Sequence, residues 1–291
     1  MVRSLWRLIV AMVGLLVLGV TASAQSYLST WNTYGGGTNG SVMALTVFEG
    51  DLIAGGAFTV AGDVACRSVA RWNGSNWQPI GLGLHASVED FAVYNGQLIA
   101  ACEPSIYQGE YVDTVTFLAR WDGANWIDLG FGSGQDFNCL LVWGTKLVVG
   151  GHFDSVAGVP TNGVAMWDGV SWQPLGTGLD GRVMALADYN GDLIAAGWFK
   201  TNGNGDTVNY VARWDGASWQ PMGAGFAWWS ECLGIHNGQL VAGGHIRLGP
   251  DHTNGTVMVW NGSDWEVFGG LLDEHEIPVS GVIQRGAGHR D

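Results

Sequence analysis

Two histidines, His152 and His245, have a type and spacing that suggest chemistry. His152 and His245 each follow a Gly-Gly pair, so they hold the same place in a repeated pattern. A pair of imidazoles can ligate a metal ion or exchange protons near neutral pH. The equivalent places elsewhere carry Ala57, Glu103 and Trp198. We therefore interpret this place as a strand end that tolerates many side chains.

Three aspartates raise the question of calcium, which prefers carboxylate oxygens. Asp122, Asp168 and Asp215 each stand directly before a glycine. Asp-Gly is a common hairpin turn, because Asp tolerates the left-handed region and Gly adopts it freely. The alternating Asp and Asn residues of an EF-hand loop do not occur. The sequence thus predicts turns at these places, with no metal and no cofactor.

Three arginines, Arg71, Arg120 and Arg213, recur at another fixed place. They suggest either a cluster that holds an anionic ligand or side chains that pack against a neighbouring repeat unit. We prefer the second interpretation.

The composition limits the possible partners. The 291 residues carry a net charge of −14, and only Lys146 and Lys200 are lysines. A protein that binds nucleic acid needs a basic stripe to neutralise phosphates, and an anionic membrane surface demands the same. We therefore expect no nucleic acid and no membrane insertion of the mature chain.

The N-terminus has the pattern of a signal peptide. A basic segment that contains Arg3 and Arg7 precedes an apolar run over residues 8–20, and Ala22-Ser23-Ala24 then gives a small-x-small cleavage site. Such a run is too short to span a bilayer comfortably. We predict that residues 1–24 are removed and that residues 25–291 are secreted, periplasmic or at the cell surface.

A repeat of about 47 residues accounts for most of the chain. The strings around Trp72/Trp77 and Trp214/Trp219 are nearly identical, and variants surround three further tryptophan pairs. The second tryptophans of the pairs are separated by 46 to 49 residues. The repeats cover approximately residues 41–81, 87–130, 137–176, 182–223 and 230–269.

Each repeat predicts four short strands. Asn-Gly pairs such as Asn95-Gly96 join the first two strands, because a type I′ hairpin turn needs positive φ at both positions. Asp-Gly or Asn-Gly joins the last two strands. Four antiparallel strands in a unit of this length make one blade of a propeller. The predicted fold is therefore an all-β β-propeller of four-stranded antiparallel blades, with five complete repeats.

A partial sixth unit flanks these repeats. Trp31 precedes Trp77 by 46 residues, so residues 28–35 resemble the end of an earlier unit. Residues 278–284 resemble a first strand without successors. We expect the two segments either to complete a sixth blade or to mark a shortened chain.

The unit resembles the kelch repeat. Kelch units close their second strand with Gly-Gly, as at Gly55-Gly56 and Gly150-Gly151, and place a tryptophan some six residues after an aromatic third strand. The pattern is also similar to units of secreted bacterial propellers, of fungal cell-surface polarity propellers and of the galactose oxidase central domain. The resemblance covers about residues 28–285 and implies a propeller, while such propellers host enzymes, adhesins and scaffolds alike.

The sequence lacks the catalytic motifs of two known classes of propeller enzyme. The copper site of galactose oxidase uses two tyrosines, two histidines and a cysteine, and no Tyr/His pair here has a matching spacing. The Asp-box of sialidases begins with a serine that Trp-Asp-Gly-x-x-Trp lacks. We predict no catalytic residues.

The cysteines fall into two groups. Cys139 and Cys232 hold the place of Ala44 on first strands, which favours small buried core residues. Cys66 and Cys102 fall in adjacent blades on the side of the second loop, where export permits a disulfide. A Cys66–Cys102 disulfide is therefore a hypothesis, with two thiols as its alternative.

A binding surface is predicted from aromatic residues outside the repeat. The loops between second and third strands, and between one blade and the next, open on the same face of a propeller. This face carries the aromatic residues Tyr107, Tyr111, Phe226, Trp228 and Trp229. They can form a platform for a glycan or a protein, or Trp228-Trp229 can fill a gap between blades.

The sequence favours a secreted or cell-surface, monomeric, non-catalytic propeller that recognises a protein or glycan. The alternatives are a secreted carbohydrate-active enzyme with its site at the channel mouth and a structural module of a larger surface protein.

Overall fold

The computed structural model describes residues 35–103, 106–107, 110–111, 118–129, 136–246 and 257–268. Within these ranges the strands form five four-stranded antiparallel sheets, here called blades one to five, and three two-stranded hairpins. The prediction of an all-β fold with four-stranded antiparallel blades is confirmed. Residues 1–34 and 278–284 lie outside the described residues, so the signal peptide and the sixth blade stay predictions.

The strands follow the chain in the same order in every blade. Blades one and two contain β1 (Ser41–Phe48), β2 (Asp51–Ala57), the hairpin β3 (Val60–Ala61) and β4 (Val64–Ala65), β5 (Val69–Trp72), β6 (Trp77–Pro79), β7 (Ser87–Tyr94), β8 (Gln97–Glu103), the hairpin β9 (Ile106–Tyr107) and β10 (Glu110–Tyr111), β11 (Leu118–Trp121) and β12 (Trp126–Asp128).

Blades three to five repeat the arrangement. They contain β13 (Asp136–Trp143), β14 (Lys146–His152), the hairpin β15 (Ser155–Val156) and β16 (Val159–Pro160), β17 (Val164–Trp167), β18 (Trp172–Pro174), β19 (Arg182–Tyr189), β20 (Asp192–Trp198), β21 (Val211–Trp214), β22 (Trp219–Pro221), β23 (Ser230–His236), β24 (Gln239–Gly244), β25 (Met258–Trp260) and β26 (Trp265–Val267).

The first strands of successive blades pack beside one another, β1 on β7, β7 on β13, β13 on β19 and β19 on β23. A β-bulge interrupts each of them near its start, and a small or short residue follows the bulge. In blade three this residue is Cys139, whose partner across the sheet is Gly150. A Cβ atom on Gly150 would lie 2.6 Å from the Cys139 sulfur, so the crowding requires glycine there. Cys139 and Cys232 are buried, as predicted.

The core consists of layers between neighbouring blades. Each layer joins the aliphatic residues of two blades, as Ile53 and Val69 of blade one meet Leu98 and Ala119 of blade two. The tryptophan pairs close these layers at a constant ring-centroid distance of 5.4 to 5.5 Å. The indole nitrogen of Trp219 also donates to the Leu175 carbonyl at 3.2 Å, which ties blade four to the segment before it.

The turns between first and second strands have the predicted geometry. Asn95 and Gly96 have φ values of 49° and 75°, as a type I′ hairpin requires. The turns between third and fourth strands differ from the prediction, because only their glycines have positive φ. Their aspartates instead cap the turn: Asp215 Oδ1 accepts hydrogen bonds from the backbone amides of Ala217 and Ser218 at 2.8 Å each.

The same capping occurs in every blade. Asp122 and Asp168 accept equivalent amide bonds, as do the neutral side chains of Asn73 and Asn261. The backbone amides hold the pKa values of Asp122, Asp168 and Asp215 below the ordinary carboxyl value. The turn thus accounts for these aspartates, and no group of three or more candidate metal ligands occurs among the described residues.

Two further expectations are corrected. Arg71 and Arg213 each form an ion pair within their own blade, with Asp51 and with Asp192 respectively, an interaction that neither interpretation of the sequence included. Cys66 and Cys102 are both free thiols, so the disulfide hypothesis is wrong.

The physical reason is that the two cysteines serve different layers. Cys66 packs with Val42 and Ala54 on one face of blade one, and Cys102 packs between blades one and two. Burial is the main cause that raises the pKa of the Cys102 thiol, which keeps it protonated.

Candidate functional site

The loops between blades and the loops between second and third strands meet at one end of the propeller, here called the loop face. Three described inter-blade segments each donate a backbone amide to the loop of the blade that they leave. Leu84 donates to the Arg67 carbonyl at 3.0 Å, and Leu179 donates to the Asn162 carbonyl at 2.9 Å. The opposite end carries the short hairpin turns and is here called the hairpin face. The predicted grouping of loops on one face is therefore present.

A group of aromatic and charged side chains lies on the loop face between blades four and five. We call it the tryptophan cluster and define it as Trp198, Trp228, Trp229, Glu231 and His245. Trp198 ends β20 of blade four, and His245 follows β24 of blade five. Trp228 and Trp229 lie directly before β23, and Glu231 is the residue at the bulge of that strand. One blade junction thus positions all five residues.

Trp229 is the centre of the cluster. Its ring centroid lies 5.0 Å from Trp198, 5.2 Å from Trp228 and 5.2 Å from His245. All three ring pairs are tilted, the arrangement that the quadrupoles of aromatic rings favour over a flat stack. Trp229 is half-buried by these neighbours and fills the junction, as one interpretation of the sequence expected.

The two flanking indoles face solvent. Trp198 is 51% exposed and Trp228 is 42% exposed. All other tryptophans in the described residues are buried or half-buried, mostly in the pairs between blades. The loop face therefore presents two indole surfaces joined by a half-buried third.

Polar groups border the indoles. Glu231 Oε1 lies 3.7 Å from Nε2 of His245, close enough for an ion pair when the imidazole is protonated. Nε1 of Trp229 is buried and has no hydrogen-bond partner. A buried donor without an acceptor costs about 1–3 kcal/mol. The cluster thus holds the carboxyl group of Glu231, the imidazole of His245 and one buried indole donor that lacks a partner.

An ion pair lies beside the cluster on blade four. Arg182 is the partner of Trp198 across the sheet, so both side chains lie on the same face of blade four. Its Nη2 atom lies 2.5 Å from Asp136 Oδ2 of blade three. Both side chains are partly exposed. The charge of Arg182 is therefore satisfied by Asp136.

Phe226 is not part of the surface that the sequence predicted. It is 3% exposed, and its ring centroid lies 4.7 Å from Trp265 in the layer between blades four and five. Its backbone amide donates to Asn209 at 2.9 Å, as Leu84 and Leu179 do at their own blades. Phe226 therefore occupies a regular core place in the repeat.

Tyr107 and Tyr111 lie in the hairpin β9–β10, which belongs to the loop between second and third strands of blade two. Tyr107 pairs with Glu110 and Tyr111 with Ile106. Their side chains lie outside the described residues, so their part in binding stays a prediction.

Sequence reasoning missed Trp198 and His245 as members of the site. Both occupy the strand-end place that we interpreted as tolerant of any side chain. The signal was present, because this place lies across the sheet from the start of the first strand of the same blade, as Trp198 pairs with Arg182. In blade five, Trp229 directly precedes that first strand. A tryptophan or histidine at a varied place beside a second aromatic residue is the pattern to search for.

Comparisons with known proteins bear on the fold. No family model matches this chain, and no curated protein matches it in sequence. Among solved structures, an ancestral GH74 enzyme is 15% identical with a TM-score of 0.51, and the likeness covers 82% of this chain and 32% of that one.

The extracellular domain of a protein described as a one component system from B. thetaiotaomicron is 8% identical with a TM-score of 0.50, over 79% of this chain and 28% of that one. This chain therefore spans about a third or less of either structure. At such identity the likenesses establish the fold class alone, which is that of a β-propeller. In the described ranges, no helix has the length and apolar character that crossing a membrane would require.

Proposed function

We propose that this chain is an exported, non-catalytic recognition propeller that binds a protein or glycan partner through the tryptophan cluster on its loop face. The observation that carries the proposal is the exposure of Trp198 and Trp228 on a scaffold that otherwise buries or half-buries its tryptophans in the described residues. Large aromatic side chains that remain in water at one place are typical of a contact surface.

The chemistry of the cluster favours binding over turnover. Glycoside hydrolysis ordinarily uses two carboxyl groups that flank the scissile bond. Among the described residues of the cluster, Glu231 has the one carboxyl group, and Asp136 of blade three is paired with Arg182. The alternative of a carbohydrate-active enzyme therefore lacks its second carboxylate at this place.

Export and the kelch-like interpretation complete the proposal. Residues 1–24 have the pattern of a signal peptide, and the Gly-Gly pairs and the tryptophan spacing resemble kelch units. N-terminal sequencing of the protein from the culture medium or the cell envelope tests export. We expect Gln25 as the first residue, and a chain retained in the cytoplasm with Met1 would contradict it.

The binding proposal is tested with the exported chain on arrays of glycans and of extracellular proteins. We expect binding that Trp228→Ala weakens and that Phe268→Ala leaves unchanged. Phe268 is a matched control because it is also 42% exposed but packs against His236 of β23 on the hairpin side of that strand. Binding that is equal in the two variants would overturn the proposed surface, and cleavage of a bound glycan, seen by mass spectrometry, would overturn the non-catalytic role.

A further inference from the structure

We infer that the tryptophan cluster binds an uncharged saccharide, with sugar rings stacked on the exposed indoles of Trp198 and Trp228. This inference rests on the proposed function, because it names the class of partner for the same surface. Four observations support it: the exposed ring faces, the size of the apolar surface, the bordering polar groups of Glu231 and His245, and the sign of the charge.

The ring faces match one side of a sugar ring. An indole face is electron-rich, since the aromatic quadrupole is negative over the ring and positive at its edge. The axial C–H groups of a pyranose form a flat surface with slight positive charge, which is complementary to such a face. Trp229 holds both outer indoles at centroid distances of 5.0 and 5.2 Å, so the two stacking surfaces are positioned before a ligand arrives.

The exposed surface is small for a protein partner. A tryptophan offers about 150–250 Å², so two indoles at 51% and 42% exposure present on the order of 200 Å². A stable protein interface buries about 800 Å² on each partner. Other exposed apolar side chains lie elsewhere, as Leu82 between blades one and two and Val170 on the hairpin face. Two sugar rings cover the apolar surface that the described residues of the cluster present, whereas a protein partner needs several times more.

The polar border suits hydroxyl groups. An ionised Glu231 only accepts hydrogen bonds, and neighbouring sugar hydroxyls can donate to its two oxygens. The ring of His245, whose Nε2 lies 3.7 Å from Glu231 Oε1, adds a second polar group to the same border.

The charge disfavours an acidic glycan. The chain carries a net charge of −14, and Glu231 adds a carboxylate at the site itself. Arg182, the cross-strand partner of Trp198, is paired with Asp136 at 2.5 Å. The net negative charge of the chain therefore opposes the approach of a sulfate or uronic acid.

The test is a calorimetric titration of the exported chain with neutral hexasaccharides of glucose, mannose and xylose, and with polygalacturonate and heparin as acidic probes. We expect a neutral probe to bind and the acidic probes not to bind. Trp198→Ala and Trp228→Ala should each weaken binding by roughly 5- to 100-fold, by analogy with the loss found when an aromatic side chain that stacks on a nucleobase is replaced by alanine. Phe268→Ala should leave the affinity within about twofold, as truncation of an exposed residue away from the contact does.

The outcomes separate this inference from the proposed function. Absence of binding by every neutral probe, or tighter binding of an acidic probe, overturns the saccharide inference. If a protein or acidic glycan then binds in a manner sensitive to Trp228→Ala, the proposed function stands alone. Neutral binding that survives both tryptophan variants overturns both. Hydrolysis of a bound neutral probe retains the saccharide and overturns only the non-catalytic role.

Discussion

The two ends of this propeller are built from the same repeat but differ in how uniform they are. On the hairpin face every blade uses the same devices: a tight turn between first and second strands, and an Asp or Asn side chain that caps the turn between third and fourth strands. The backbone conformation and one side-chain oxygen define these turns. This face consequently looks alike from blade to blade.

On the loop face the blades diverge. The strand-end place holds Ala57 in blade one, His152 in blade three and Trp198 in blade four. The inter-blade segments keep their Gly-x-Gly geometry, as at Gly81 and Gly83, while the residues after them change freely. The comparison indicates that the repeat fixes the scaffold on both faces and leaves side-chain identity open on only one of them.

The largest expected effect on stability distinguishes two tryptophans that lie nine positions apart in the chain. Trp219 is 1% exposed in the layer between blades three and four, and Trp228 is 42% exposed. We expect Trp219→Ala to lower the free energy of unfolding by about 3–5 kcal/mol. Trp228→Ala should change it by less than about 1 kcal/mol, because exposed positions contribute little to stability. Denaturant titration monitored by circular dichroism measures both.

Equal losses in the two variants would mean that Trp228 is a structural plug, and the distinction between the faces would fail at this residue. The binding assays described above use the same pair of proteins, so stability and recognition can be compared directly.

The next effect concerns a hairpin turn. Gly96 has a φ of 75° in the type I′ turn between β7 and β8. A β-branched side chain is strained in the left-handed region, so Gly96→Val should cost about 1–2 kcal/mol of unfolding free energy. Gln97→Val, one residue later at the start of β8, serves as the control because valine suits a strand. Thermal unfolding of the two variants in parallel measures the difference, and a Gly96→Val protein as stable as its control would refute the account of the turn.

The smallest effect is a dependence on pH. Backbone amides hold the pKa values of Asp122, Asp168 and Asp215 below the ordinary value, so the folded state favours their ionised form. Their contribution is complete above the unfolded carboxyl pKa, about 3.9, and is lost as the pH falls through the lower folded values. Stability measured between pH 6 and 2 should decline accordingly.

Blades one and five provide the matched control for this effect. There the same turns are capped by Asn73 and Asn261, which do not titrate. Replacing all three aspartates by asparagine should keep the turns and flatten the acid decline. An unchanged pH profile in this variant would mean that other carboxyl groups cause the loss.

The sequence predicted the fold because every structural signal occurs several times. One Asn-Gly pair indicates a turn weakly, but Asn95-Gly96, Asn190-Gly191 and Asn237-Gly238 at one register indicate a hairpin in every unit. Repetition also indicated that Cys139 and Cys232 are core residues, since they share a place with Ala44.

The site was only partly predictable, because a site depends on differences between copies. Trp228 and Trp229 stood out as additions to the repeat. Trp198 was interpreted as one of many side chains that the end of the second strand accepts. Phe226 looked equally irregular, yet its buried position is that of Leu179. The disulfide hypothesis failed because the sequence shows only that Cys66 and Cys102 belong to adjacent blades. It does not show in which core layer each side chain is buried, and the two layers differ.

The position of the tryptophan cluster at a boundary has a consequence for how such proteins change over time. Neither blade four nor blade five contains the site alone, since Trp198 comes from one and Trp229 from the other. A duplicated blade inserted at that boundary would separate the two halves and erase the site. Conversely, paired substitutions at another boundary, such as His152→Trp with Arg182→Trp, would place aromatic residues on the loop face at the boundary of blades three and four. New binding specificities in this architecture can therefore arise from substitutions at a boundary between two blades, while the repeated positions of each blade stay unchanged.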